Sequence, residues 1–204
     1  MHVAVIDIGK PNKNLGWSMV GPTSAEGTDL DACVESLAFA LNEGPLALGF
    51  EAPMYVPVRS APDNLTKARN GECRDGVNRP FSTSAGSTVT VTAMVVVPYV
   101  LAGLRRLVPA GKATLNWRNF LLEPHGLLLF EAFVTNQRKT TDTRHVEDAR
   151  LAASHLFERL SSRLAVSSAV DEPSCFSMLG AMMLRTGWSE DPNVVSEECL
   201  VVRL

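Results

Sequence analysis

His2-Val3-Ala4-Val5-Ile6-Asp7-Ile8 stands near the start of the chain. The run alternates and is rich in β-branched residues, which predicts a buried strand. One residue is out of character. Asp7 sits among apolar neighbours, where an ionised carboxylate is costly unless it is paired or binds a metal. Residues 9–14 hold Gly, Pro and two Asn, a turn signature. Residues 15–20 then predict a second strand, so the chain opens with a hairpin.

Beyond the hairpin, Leu30, Cys33, Val34, Leu37 and Leu41 recur at close to 3.6-residue spacing. That predicts an amphipathic helix over 29–42, with Thr28 or Asp29 as N-cap and Gly44-Pro45 as its stop. Residues 46–50 predict a short apolar strand ended by Glu51-Ala52-Pro53. Residues 54–86 are rich in Pro, Asn, Gly and Arg and show little periodicity. A loop this long inside a compact domain points to function, and it is read as an active-site loop. Residues 87–107 predict a long buried helix, against the strand preference of their valines. A strand over 127–135, helices over 144–164 and 171–186, and a strand over 199–204 complete the pattern. Together these elements predict one mixed α/β domain of three layers over 1–204.

The chain has 204 residues and a formal net charge of −3. That charge argues against non-specific coating of nucleic acid, which needs clustered Lys and Arg. The length is short for a two-lobed actin-like kinase. Cys33, Cys73, Cys175 and Cys199 are far apart, which excludes a zinc ribbon and gives no disulfide framework. The longest apolar stretch, 89–104, is broken by Thr, Pro and Gly and reads as too short to span a bilayer. The expectation is a soluble, reduced, cytoplasmic protein.

Most of the chemical signal lies in the acids. Glu51 ends the strand after Leu48-Gly49-Phe50, and Glu131 sits inside Leu127-Leu128-Leu129-Phe130-Glu131-Ala132-Phe133. With Asp7, this gives three strands carrying one carboxylate each. If those strands are neighbours, the carboxylates converge, and their repulsion favours a divalent cation between them. Hard oxygen ligands select Mg²⁺ or Mn²⁺ over zinc. The predicted helix over 144–164 opens Arg144-His145-Val146-Glu147-Asp148-Ala149. His145 and Asp148 are three apart and share a face, so Asp148 is a fourth candidate ligand and His145 a ligand or general base. Asp171 or Glu172 competes for that fourth place. The alternative, that each strand acid caps a helix or meets an arginine, stays open.

Asp7-Ile8-Gly9, then Gly16-Trp17, then Phe50-Glu51-Ala52-Pro53 resembles the ribonuclease H-like superfamily. The nearest branch is that of RuvC-type resolvases and a group of uncharacterised bacterial proteins related to them. His145-Val146-Glu147-Asp148-Ala149 is similar to the opening of the last resolvase helix, and the stretch 69–82 resembles a loop of the uncharacterised group. The resemblance implies a mixed sheet of about five strands flanked by helices, with acids in a cleft at the carboxyl end of the sheet. It implies two metal ions there, acting on a phosphodiester. Asp7 matches the first ligand, Glu51 the second and Asp148 the last. Glu131 matches an acid of the uncharacterised group. The long loop at 54–86 and the helix and strand after the Asp148 helix depart from resolvases and keep Asp171 as the alternate last ligand.

In this reading the substrate is a nucleic acid or nucleotide, and a homodimer is compatible with it. Arg69, Arg74 and Arg79 are the candidate phosphate clamps, with Arg138, Lys139 and Arg144 beside them. The competing role for these arginines is a network that pins the loop through Glu72 and Asp75. Trp17, Trp117 and Trp188 are available for base stacking, although a strand Trp such as Trp17 is more often core. Two other classes fit part of the sequence. Asp7-Ile8-Gly9-x-x-Asn12-x-x-x-Gly16 resembles the first phosphate loop of actin-like kinases. A non-catalytic scaffold that binds a partner through 54–86 is the other.

Overall fold

A computed structural model describes residues 1–11, 13–73, 80–133, 144–162 and 165–203. The opening apolar run forms β1 (His2–Asp7), buried along its whole length. It turns back into β2 (Gly16–Val20), which is antiparallel to it, and β3 (Ala25–Gly27) pairs with β2. The predicted first helix follows as α1 (Leu30–Glu43), whose N-cap Asp29 accepts the Ala32 N–H. Then comes β4 (Leu46–Glu51), parallel to β1.

The predicted loop is partly structured. It contains β5 (Tyr55–Pro57) and a single 3₁₀ turn, Pro62–Asn64. The helix after it, α2 (Ser84–Leu107), forms despite its valines. Ala93, Val96, Val97, Val100, Leu101 and Leu104 make a buried stripe along it, and that packing overrides the weak helix preference of β-branched residues. By length and composition alone α2 is long enough to cross a membrane, which corrects the reading of this stretch as too short. Here one stripe packs on α1 and α5, while Val91, Met94, Val95 and Tyr99 on the rest of its surface are exposed.

Next are β6 (Ala113–Thr114), α3 (Trp117–Leu122), β7 (Leu127–Phe133) and α4 (Arg144–Ser161). The short β3 and β6 and the six-residue α3 fall outside the expected elements. The segment after α4 departs further from expectation. Residues 171–177 are extended rather than helical and include β8 (Cys175–Ser177), paired with β5. The Asp171 N–H goes to the Asn70 carbonyl, and the Glu172 carboxylate takes Arg59 and the Asn70 N–H. Those contacts hold the chain extended until the Ser177 hydroxyl caps α5 (Met178–Thr186). β9 (Leu200–Arg203) closes the chain.

The main sheet has seven strands in the order β3-β2-β1-β4-β7-β6, with β9 also beside β7. β1, β4, β7, β6 and β9 are parallel, and β2 and β3 form the antiparallel edge. The sheet is therefore larger than the five strands expected, while the three-layer α/β architecture holds. Helices cover both faces, so the central strands read as unbroken apolar runs. Ala4, Ile6, Leu48 and Phe50 face one core with α1, α2 and α5. Val3, Val5, Ala47 and Phe130 face the other, with α3 and α4.

Candidate functional site

Strand parity decides which acids meet. Side chains alternate across a sheet, so Asp7 follows Val3 and Val5 onto the α4 face. The register of β1 on β4 sets Asp7 beside Glu51, and both lie at the carboxyl ends of parallel strands. Asp7 is buried and Glu51 half-buried. Across the sheet top, α4 brings His145 Nδ1 to 2.5 Å from Asp7 Oδ2. Asp148 lies one turn further along α4 and adds its negative charge to the surroundings of Asp7.

Gly16 makes this approach possible. It pairs with Asp7 in the hairpin, and the first turn of α4 passes directly over it. A Cβ at Gly16 would lie 2.3 Å from the Val146 nitrogen and 2.4 Å from the His145 carbonyl carbon. Both are backbone atoms, so the helix must move rather than a rotamer. Gly16→Ala should therefore lift α4 from β2 and separate His145 from Asp7. The expected cost is about 1–3 kcal/mol of stability, read by denaturant unfolding. Loss of the Asp7–His145 coupling would show in the imidazole shifts by NMR; an unchanged midpoint and unchanged shifts would contradict this account.

Burial pushes the Asp7 carboxyl up to about 6. The bonded His145 imidazole pulls it down, and Asp148 pushes it further up. The folded value lies above the ordinary 3.8, so the native state binds the extra proton between these two values. Stability from this group is full below pH ~4 and is lost as pH rises through about 6, at a cost on the order of 3 kcal/mol. Asp7→Asn in chelator-treated protein should thus melt higher relative to wild type at pH 8 than at pH 4. A difference that does not grow with pH counts against a desolvated Asp7 charge.

Glu131 does not join this pair, a correction to the three-strand convergence. Its register partner is Phe50, so it faces the opposite core from Asp7 and Glu51. There it is fully buried with Arg69. Arg69 Nη2 lies 2.7 Å from Glu131 Oε1, and Nη1 lies 2.8 Å from Oε2, a two-pronged bond. Arg69 Nε and Nη2 also donate to Glu72 Oε1 at 3.0 and 2.8 Å. Arg69 is thus committed to the interior and is not a phosphate clamp. The competing role weighed for it, pinning the loop through Glu72, is the one the geometry shows. The missing signal was register, since adjacent strands with acids converge only when their alternation is in phase.

Asp171 also lies apart from Asp7. It lines a separate depression with Asn116, Trp117 and Glu198, and its neighbour Glu172 is taken by Arg59. Asp148, not Asp171, is the helix acid that acts on Asp7. The three tryptophans are all buried, with Trp17 Nε1 donating to the Asp29 carbonyl and Trp188 Nε1 to the Leu101 carbonyl. None offers a free stacking face. In the kinase-like loop, the Lys10 N–H donates to Asn14 Oδ1 at 2.8 Å. Arg74, Asp75, Arg79, Arg138 and Lys139 lie outside the described residues.

The Asp7–Glu51 edge opens into a cleft of about 230 Å³. Its other walls come from Pro53, Phe81, Val89 and Phe133. Phe81 and Phe133 had no distinguishing signal in the sequence, since lone aromatics at element ends are commonplace.

Among the described residues, no group of three or more His, Cys, Asp or Glu side chains lies close enough to hold a metal ion. What the fold assembles is a carboxylate pair, Asp7 and Glu51, with Asp148 in electrostatic reach. Mg²⁺ commonly keeps several waters and takes one or two protein carboxylates plus substrate phosphates. The donor set fits that habit. No family model matches the chain, and no curated protein or solved structure matches it significantly.

Proposed function

We propose that the protein is a cytoplasmic, Mg²⁺- or Mn²⁺-dependent phosphodiesterase of the ribonuclease H-like kind, acting on nucleic acid. The observation that carries this reading is the in-phase placement of Asp7 and Glu51 at the carboxyl ends of adjacent parallel strands. Open parallel sheets place ligands at that end. A bound divalent cation would supply activation of water and stabilisation of the leaving oxygen of a phosphodiester.

The chain's own residues divide the remaining work. Asp7 and Glu51 supply the hard oxygen donors, and Asp148 adds negative charge that strengthens cation attraction. His145 orients the Asp7 carboxylate through its Nδ1 and can hold a proton there. Glu131 and Arg69 are bound to each other in the opposite core and take no part in this chemistry.

The test is hydrolysis of branched DNA and structured RNA in Mg²⁺ or Mn²⁺, by wild type and Glu51→Gln. Cleavage that EDTA and Glu51→Gln both abolish supports the reading. Cleavage that survives Glu51→Gln, or none on any such substrate, contradicts it.

A further inference from the structure

We propose that the apolar half of the cleft takes one unpaired nucleobase of the strand cleaved at Asp7 and Glu51, stacked against Phe81 and Phe133. This rests on the phosphodiesterase reading above and deepens it to a substrate class: nucleic acid with an unpaired nucleotide at the scissile position.

The cleft has two chemically distinct walls. Asp7 and Glu51 are the acids on its lining, and Pro53, Phe81, Val89 and Phe133 are among the residues of its apolar part. A group bound beside a phosphate at the acid wall is the sugar-base part of one of the two nucleotides that phosphate joins. At about 230 Å³ the space is smaller than the ~300 Å³ at which pockets for drug-sized ligands begin. It suits one planar ring system and not a base pair.

Both aromatics are only part-buried, yet both are fixed from behind. The Phe81 N–H donates to Glu72 Oε1 at 3.0 Å. Its carbonyl abuts Gly86 so closely that a Cβ there would sit 2.5 Å away. The Arg203 guanidinium lies over the Phe133 ring at 5.0 Å from its centroid, and Arg203 is tied to the Gly71 and Glu72 carbonyls. One turn at Glu72 therefore sets both stacking partners, and little ordering is left to do on binding.

The polar inventory of the apolar half points to stacking without readout. Among the described residues of this lining, Thr83 carries the hydroxyl, and its Oγ1 accepts the Gly86 N–H as the cap of α2. Stacking alone accepts every base, because each has a π-face. A base paired inside a duplex cannot present that face, so the nucleotide must be bulged, single-stranded or flipped.

The experiment uses duplexes, one DNA and one RNA, whose single unpaired residue is a bulged nucleotide. Matched duplexes carry an abasic bulge. Binding is followed by fluorescence anisotropy in Mn²⁺, and cleavage on the same samples by gel. Wild type should bind the intact bulge about tenfold or more tighter than the abasic one. Phe81→Ala and Phe133→Leu should each reduce that preference while leaving affinity for the abasic duplex unchanged. Equal binding of intact and abasic duplexes by wild type, or no binding of either, overturns the base site. So does a preference untouched in both variants. Cleavage without base preference overturns the base site alone. Base preference without Mn²⁺-dependent cleavage supports it and counts against the phosphodiesterase reading.

Discussion

Arg69→Ala should bring the protein close to unfolding, at a cost of about 3–5 kcal/mol, a large share of the 5–15 kcal/mol that holds an ordinary domain together. The side chain of Arg69 has no exposure, and Glu131 and Glu72 beside it have 0% and 1%. Burial disfavours its charge, but the Glu131 and Glu72 carboxylates outweigh that and raise its pKa. Removing the guanidinium leaves two carboxylates without a cation in a dry site. Each also has a second duty. Glu131 Oε2 accepts the Met54 N–H at 2.9 Å, and Glu72 Oε1 accepts the Phe81 N–H. The loop from β4 to α2 thus hangs on this one cluster. Arg69→Met with Glu131→Leu and Glu72→Leu should recover much of the loss, because replacing a whole buried ionic group by apolar residues is often neutral. Denaturant midpoints of the single and triple variants provide the check. A single variant within about 1 kcal/mol of wild type would mean the network contributes little.

Asp7→Asn should abolish divalent-cation-dependent hydrolysis, by at least about 10³-fold in kcat/KM, since a catalytic cation supplies several kcal/mol at the transition state. Asn keeps the shape and the contact with His145 but removes the charge that attracts a cation. The fold should survive, since a neutral group suits the buried end of β1 better than an ionised one. Loss of activity with a melting temperature at or above that of wild type therefore separates a functional role from a structural one. Comparable activity in the variant would remove Asp7 from the site.

Much of this arrangement is legible in the sequence, and the limits have physical causes. β1, β2, β4, β7, α1 and α4 follow from periodicity because each buries one face in a core or, in the central strands, both faces in two. Asp7 and Glu51 stand out because carboxylates are costly in such runs. Glu131 looks identical by that criterion, and only the register of β7 on β4 sends it to the other face. Its partner Arg69 lies 62 residues away in sequence, beyond any local pattern. The helix expected from Asp171 begins at Met178 instead, because long-range bonds to Arg59 and Asn70 compete with helical ones. Gly16 was visible as a hairpin residue, but the reason it must lack a Cβ is α4, about 130 residues later in the chain.

The central claim is that Asp7 and Glu51 together hold a divalent cation. Calorimetric titration of Mn²⁺ into wild type, Asp7→Asn and Glu51→Gln tests it most directly. Wild type should bind saturably, and either substitution should remove that binding, with far-UV circular dichroism unchanged. Equal binding by all three, or none by wild type even with a phosphodiester oligonucleotide present, would contradict it.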